Sequence, residues 1–211
     1  MLFAISHREF SQAPELVFGQ FRLRHQEFIE RQGYDVKTLD GMEFDEYDTL
    51  ASVYLVYSED GSTVLGCSRL TPVEFGCMLK DHFPTLVDDH TIFSAPDVWE
   101  GTRFCVDSRL PAAHRLHILK TISLGYLEFA LERGIDRIIG LMPTLILRSV
   151  FERNGIRLDR LGEAHAVGAH AKIQAASIEI TWQQLQHAQA KTGLSNVLIP
   201  FDEPSDARHA A

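Results

Sequence analysis

Apolar residues recur along this chain with two alternating periods, and the switches between them mark out its elements. Residues 1–6 read as a short strand. Pro14 is placed as the first residue of a helix that runs to about Arg31, with Val17, Phe21 and Phe28 on one face and Gly33 as its stop. Residues 35–48 are polar and acidic and predict a loop. Residues 51–57 are β-branched and aromatic, the Asp60-Gly61 pair marks a turn, and residues 63–71 supply the partner strand, closed by Pro72. Residues 73–97 form a long connection of the kind that usually carries function. A strand at 98–106 precedes a helix that Pro111 opens and Gly134 ends, with Leu116, Leu119, Ile122, Tyr126 and Leu127 in helical register. Then follow a buried-type strand at 136–142, a short helix from Pro143 or Thr144 to Asn154, a strand at 173–180, and a final helix over 181–191 opened by Thr181 and Gln184 as a capping box. Interleaved strands and helices with one forced antiparallel hairpin predict an α/β fold: a mixed sheet with helices on both faces, a three-layer α/β/α sandwich. Residues 1–203 read as a single domain, and 204–211 as a disordered tail.

Several charges stand where the pattern calls for apolar side chains. Arg24 lies three residues after Phe21 and four before Phe28, on the same helix face. Arg69 is in phase with Leu65 and Cys67, and Glu100 and Arg103 lie within the apolar strand at 98–106. A guanidinium buried without partners would be very costly, so carboxylates must meet it; Glu43, Asp45 and Asp48 in the preceding loop are the available acids. Such a cluster serves either as an ionic staple fastening a loop to the sheet or as a cup for a small zwitterion. Strict alternation would place Glu100 and Arg103 on opposite faces. One extra residue, expected as a bulge at Gly101, would return them to the same side.

Composition narrows the classes. The 211 residues carry 20 basic against 29 acidic side chains, a net charge of −9, which disfavours a nucleic-acid partner. No apolar run reaches the roughly 18–20 residues of a membrane span, and Met1–Ile5 carry neither a basic n-region nor a small-residue cleavage site, so an export signal is not expected. Cys67, Cys77 and Cys105 form no disulfide framework and suit a reducing, cytoplasmic setting. His114 and His117 lack further ligands at a zinc-like spacing, and the acids at 45–48 lack the calcium-loop pattern, so no metal is expected. Neither a G-x-S-x-G nucleophile nor a P-loop is present.

The ordered motifs resemble the acyl-homoserine-lactone synthases, the LuxI-type autoinducer synthases. They are Arg24, Phe28, Arg31, Gly33 and Tyr34; the block Gly41-Met42-Glu43-Phe44-Asp45-Glu46-Tyr47-Asp48; Arg69 before Leu70-Thr71-Pro72; Met78-Leu79 with Phe83-Pro84; and Trp99-Glu100-Gly101-Thr102-Arg103-Phe104. Tyr34 and Thr102 depart from the family's usual Trp and Ser. The resemblance implies a fold similar to that of the GNAT N-acyltransferases. Here, however, the stretch 108–115 carries none of the glycines that an acetyl-coenzyme A loop uses, which disfavours an ordinary acetyltransferase.

The resemblance further implies that S-adenosylmethionine is acylated on its amine by a thioester of acyl carrier protein or coenzyme A, then closed to a lactone with release of methylthioadenosine. No cofactor is implied, and a monomer is expected. Glu100 is the expected base and Arg103 the holder of the substrate carboxylate. Arg24, Phe28, Tyr34, Asp45, Asp48, Arg69 and Phe104 would complete the S-adenosylmethionine site. The acyl chain would lie along Leu141, Met142, Pro143, Thr144 and Ile146. Arg148, Arg153 and Arg157, with Arg160, would dock an acidic carrier or the phosphates of coenzyme A. The alternatives are an N-acyltransferase of the same fold acting on another amine, and a non-catalytic small-molecule sensor.

Overall fold

The hairpin expected at residues 51–71 forms the middle of a nine-stranded sheet in the computed structural model, which describes residues 1–167 and 171–201. The tail expected at 204–211 lies outside the described residues. In chain order the elements are β1 (Leu2–Ile5), α1 (Pro14–Arg24) with wider turns over His25–Glu30, β2 (Thr38–Leu39), β3 (Met42–Glu43), β4 (Val53–Tyr57), β5 (Gly66–Pro72), α2 (Met78–His82), β6 (Val98–Val106), α3 (Ala112–Arg133), β7 (Arg137–Pro143), α4 (Thr144–Ile146) running into a wide turn at Leu147–Phe151, β8 (Asp159–Arg160), β9 (His165–Val167), β10 (Ala171–Glu179), α5 (Trp182–Thr192) and β11 (Leu198–Ile199).

The sheet order is β11-β1-β4-β5-β6-β7-β10-β8, with β9 also on β10, and only β1/β11 and β6/β7 are parallel among the described strands. One face is covered by α3 and α5, whose Ile118, Ile122, Leu127, Leu185 and Ala188 pack with Leu55, Leu70 and Ile138. On the other face Leu16, Val17 and Leu23 of α1 meet Tyr54, Val56 and Cys67. The three-layer expectation therefore holds. The long connection at 73–97 is not idle: Val73, Leu79, Leu86, Val87 and Phe93 are buried against Val98, Ile139 and Ala175, extending the α1 layer over the far half of the sheet. The pairs β2/β3, β8/β10 and β1/β11 escaped the sequence reading because two-residue strands have no period to detect.

The departure from regularity that matters lies between β6 and β7. Their parallel pairing runs from Val98↔Arg137 to Glu100↔Ile139 and ends there, while β7 continues to pair with β10 out to Pro143. Gly101 and Gly140 stand at the point of divergence. A Cβ placed on Gly140 would lie 2.8 Å from the Gly101 carbonyl oxygen, and one on Gly101 would lie 2.8 Å from the Tyr126 hydroxyl. The strands thus approach without side chains and then splay into a notch. Because the group opposing Gly140 is backbone rather than a flexible side-chain end, Gly140→Ala is expected to cost about 1–3 kcal/mol, the usual cost of overpacking. Urea unfolding of the variant checks this, and an unchanged midpoint would show that the strands can part freely.

Candidate active site

A β-bulge arranges the site. Cys67 of β5 pairs with Cys105 of β6, and Arg69 pairs with Thr102, so Ser68 alone faces both Arg103 and Phe104. Arg103 is the inserted residue, with φ at +54°. The expected bulge is therefore real but sits two residues beyond Gly101. Its consequence is the one anticipated. Thr102 and Arg103 both face the α1 side together with Arg69, while Gly101 and Phe104 face Tyr126 on α3.

The charged residues of the sequence pattern meet on the α1 side. Arg24, fully buried on α1, donates through Nε to Glu43 Oε2 at 2.5 Å and through Nη1 and Nη2 to the two oxygens of Asp48 at 2.8 Å each. Arg69 on β5 donates to both oxygens of Asp45 and, through Nε, to the Thr102 hydroxyl at 3.0 Å. Arg103 reaches Glu43 at 3.0 Å and Asp45 at 2.6 Å. Each acid bridges two guanidinium groups, with Asp48 also 3.0 Å from Arg69. The result is a closed lattice of three arginines and three acids drawn from α1, the 41–48 loop, β5 and β6. Burial alone would raise Asp48, but its hydrogen bonds from Arg24 and the charge of Arg69 win and hold its carboxyl well below the usual range. Burial would likewise weaken the Arg24 charge, and its pairing with Asp48 and Glu43 more than offsets this. Glu43, fully buried, is the keystone between Arg24 and Arg103.

Within this lattice the arginines differ. Arg24 and Arg69 are sealed, at 0% and 1% exposure, whereas Arg103 keeps 15% of its side chain open. The Arg103 guanidinium sits 5.8 Å from the Phe28 ring centroid, and Phe28 stacks on Tyr34 at 5.7 Å and 19°. Arg103, Phe28 and the half-exposed Tyr34 thus form one continuous wall. Arg31, by contrast, turns outward to Glu27.

Glu100 occupies a different niche. It is buried, and its two oxygens accept the backbone N–H groups of Met78 and Leu79 at 2.7 Å each, pinning α2 to the sheet. Burial raises its pKa to about 6 against the opposing pull of those N–H groups and of Arg69. It is thus a carboxylate of nearly neutral affinity held in a fixed orientation. Tyr47 ties the same segment to the acidic loop, donating to Asp81 at 3.0 Å.

Several assignments change. Phe104 is not part of the cup. The bulge turns it to the α3 side, where it packs with Tyr126 at 6.0 Å and Phe151 at 5.8 Å between ring centroids. Of the residues assigned to the acyl chain, only Met142 lines the cavity inside the notch. Leu141 packs on the other face with Val98 and Ile139, Pro143 is exposed, and Thr144 and Ile146 lie outside the cavity lining. The chain bends into α4 straight after Pro143, and the wide turn that follows directs Leu147 and Phe151 inward instead. Nor do the basic residues form one patch. Arg157 pairs with Glu179 and Arg160 with Glu152, leaving Arg148 and Arg153 exposed without an ion pair among the described residues. Tyr126 was read only as an apolar position of its helix, and Phe151 was not singled out by the sequence pattern. Their place at the notch follows from the divergence of β6 and β7, which no local pattern encodes. Among the described residues no cluster of His, Cys, Asp and Glu could hold a metal, and no helix is long and apolar enough to cross a membrane.

The family described as autoinducer synthase matches residues 9–186. An acyl-homoserine-lactone synthase of Rhizobium radiobacter is 31% identical over 172 residues, covering 80% of this chain and 81% of that protein. The isovaleryl-homoserine lactone synthase of Bradyrhizobium diazoefficiens is 30% identical over 200 residues, covering 94% and 88%. Among solved structures, the CoA-dependent acyl-homoserine lactone synthase BjaI superposes with a TM-score of 0.80 at 29% identity, covering 98% of this chain and 96% of that one, in complexes with MTA and with SAM and isopentyl-CoA. An acyl-CoA N-acyltransferase of Pseudomonas aeruginosa shares the fold at a TM-score of 0.52 and 15% identity, covering 84% and 98%.

The lattice itself is directly testable. Replacing Arg24 by Met takes one of its two guanidinium partners from each of the buried Glu43 and Asp48, and breaking one side of a buried pair costs about 3–5 kcal/mol. Chemical denaturation should show a loss of that size, and a variant as stable as the parent would mean that the lattice is dispensable to the fold.

Proposed function

The chain belongs to the autoinducer synthase family and is an acyl-homoserine-lactone synthase, and we propose that the cup binds S-adenosylmethionine beside a notch that receives an acyl-coenzyme A thioester. The observation that carries this reading is the adjacency of a partly open guanidinium, Arg103, to the splay between β6 and β7. The methionyl group of the substrate carries an ammonium and a carboxylate. Arg103 takes the carboxylate, and the acids of the lattice make the surroundings hospitable to the ammonium. The rings of Phe28 and Tyr34 lie against the sulfonium and adenosyl parts, where a cation over a ring is attracted.

In the first step the amine attacks the thioester carbonyl, forming the amide and releasing the thiol. The ammonium must first lose a proton. Glu100, with its affinity raised to about 6, is suited to accept it directly or through a water. Backbone N–H groups of the segment where β6 leaves β7 would serve as donors for the oxyanion. In the second step the carboxylate attacks the carbon bound to the sulfonium, closing the lactone and expelling methylthioadenosine. The leaving group departs neutral, so this step depends on folding the methionyl chain rather than on a second base.

The similarity over nearly the whole chain to a CoA-dependent synthase supports coenzyme A over acyl carrier protein as the carrier. Supplying one acyl group on each carrier decides between them: faster lactone formation from coenzyme A is expected, and the reverse order would overturn this choice. A base must be ionised to act, so kcat/KM should rise with pH through about 6 and then level. Glu100→Gln should lose most turnover together with that inflection. If it keeps both while its circular dichroism is unchanged, Glu100 is only the anchor of α2.

A further inference from the structure

The notch does not stay open. Beyond the divergence of β6 and β7 it narrows to a cavity of ≈ 20 Å³ lined by Gly101, Met142, Leu147, Ala176 and the rings of Tyr126 and Phe151. A single water needs about 10–15 Å³ on the same measure, so the depth of the pocket admits only about one methyl-sized group. Phe104, Tyr126 and Phe151 contact one another with centroids 5.8 to 6.0 Å apart, and Tyr126 and Phe151 are 1% and 2% exposed. This end is lined by α3, the sheet and the wide turn after α4.

Hydrogen bonding fixes the wall chemically as well. Ser68 Oγ donates to the Thr102 carbonyl at 2.9 Å, so the proton of the Tyr126 hydroxyl is the one that joins it to Ser68 Oγ, at 2.5 Å. The Tyr126 donor is thereby turned away from the cavity, and the remaining lining side chains are apolar. A carbonyl on the third carbon of an acyl chain would enter without a donor, and burying an unpaired polar group is costly. No Ser or Thr side chain lines the cavity among the described residues, Thr144 included.

Resting on the reading that the notch holds the acyl group, we propose that Phe151 and Tyr126 are its end wall and restrict the donor to short, fully reduced acyl groups, with Phe151 setting the length limit. Phe151 is placed to do so because it comes from the wide turn after α4 and not from the sheet, so trimming it deepens the pocket without touching the cup. The ring of Tyr126 also packs beneath Gly101 and is less free to change.

The experiment presents the protein with S-adenosylmethionine and butyryl-, isovaleryl-, hexanoyl-, octanoyl- and 3-oxohexanoyl-coenzyme A, following lactones by mass spectrometry and methylthioadenosine by chromatography. The wild type should favour the butyryl and isovaleryl donors over octanoyl by at least tenfold in kcat/KM, since one methylene misfitted in a pocket is worth about 10–200-fold. It should disfavour 3-oxohexanoyl relative to hexanoyl by a similar factor. Phe151→Ala should raise the octanoyl-to-butyryl ratio about tenfold or more, and Phe151→Leu should raise it less. The Leu variant keeps the test decisive if the Ala variant does not fold. Equal use of octanoyl and butyryl donors by the wild type, or an unchanged ratio in a folded Phe151 variant, overturns the end wall while leaving the lactone synthase reading intact. Absence of methylthioadenosine with every donor overturns the parent reading and this inference with it.

Discussion

One inserted residue in β6 organises the molecule. With Arg103 opposite no partner of its own, the strand changes which of its residues face α1 and which face α3. Holding a non-glycine residue at a φ of +54° costs about 1–2 kcal/mol, and the bonds from its guanidinium to Glu43 and Asp45 are what offset that strain. The dependence is mutual. Without the bulge Arg103 would face α3 and its apolar core, and without the acids the bulge would relax.

The lattice around Arg103 shows why a structural and a functional reading of buried charges need not compete. Arg24 and Arg69 are sealed and bonded through each of their three nitrogens, so they hold Asp45, Asp48 and the 41–48 loop in place. Arg103, with the same partners and a little solvent, can exchange part of its bonding for a ligand. Buried ion pairs contribute little net stability over apolar packing. Their benefit here is orientation: loop, helix and two strands are fixed relative to one another around a single open guanidinium. Glu100 extends the same logic across the sheet by binding α2, so that the segment over the far half of the sheet and the strand of the cup move as one.

The opposite face follows from two glycines. Gly101 and Gly140 let β6 and β7 come close and then part, and the aromatic cluster of Phe104, Tyr126 and Phe151 fills most of what the parting would expose. The strand that carries the charged wall at Arg103 therefore also lines the apolar pocket at Gly101 and backs its aromatic wall with Phe104. A charged cup and an apolar pocket are thereby placed on the two sides of one strand.

Much of this was legible along the chain. The main elements followed from period, turn residues and caps, and the charged cluster betrayed itself because Arg24, Arg69, Glu100 and Arg103 interrupt apolar registers where an unpaired charge could not survive. That Asp45 and Asp48 would be partners followed from charge balance alone. Position in the third dimension did not. The bulge appeared at Arg103 instead of Gly101, because an extra residue settles where side-chain ion pairs can repay the strain, and those pairs come from a loop some sixty positions away. Phe104 changed faces for the same reason. The cavity in the notch is lined by Leu147 and Phe151 and not by Pro143 and Thr144, since a wide helical turn and the divergence of two strands arise from packing and leave no periodic trace. Local pattern determines which segments are strands and helices and which charges must be paired; only the closing of distant segments on one another decides which atoms share a pocket.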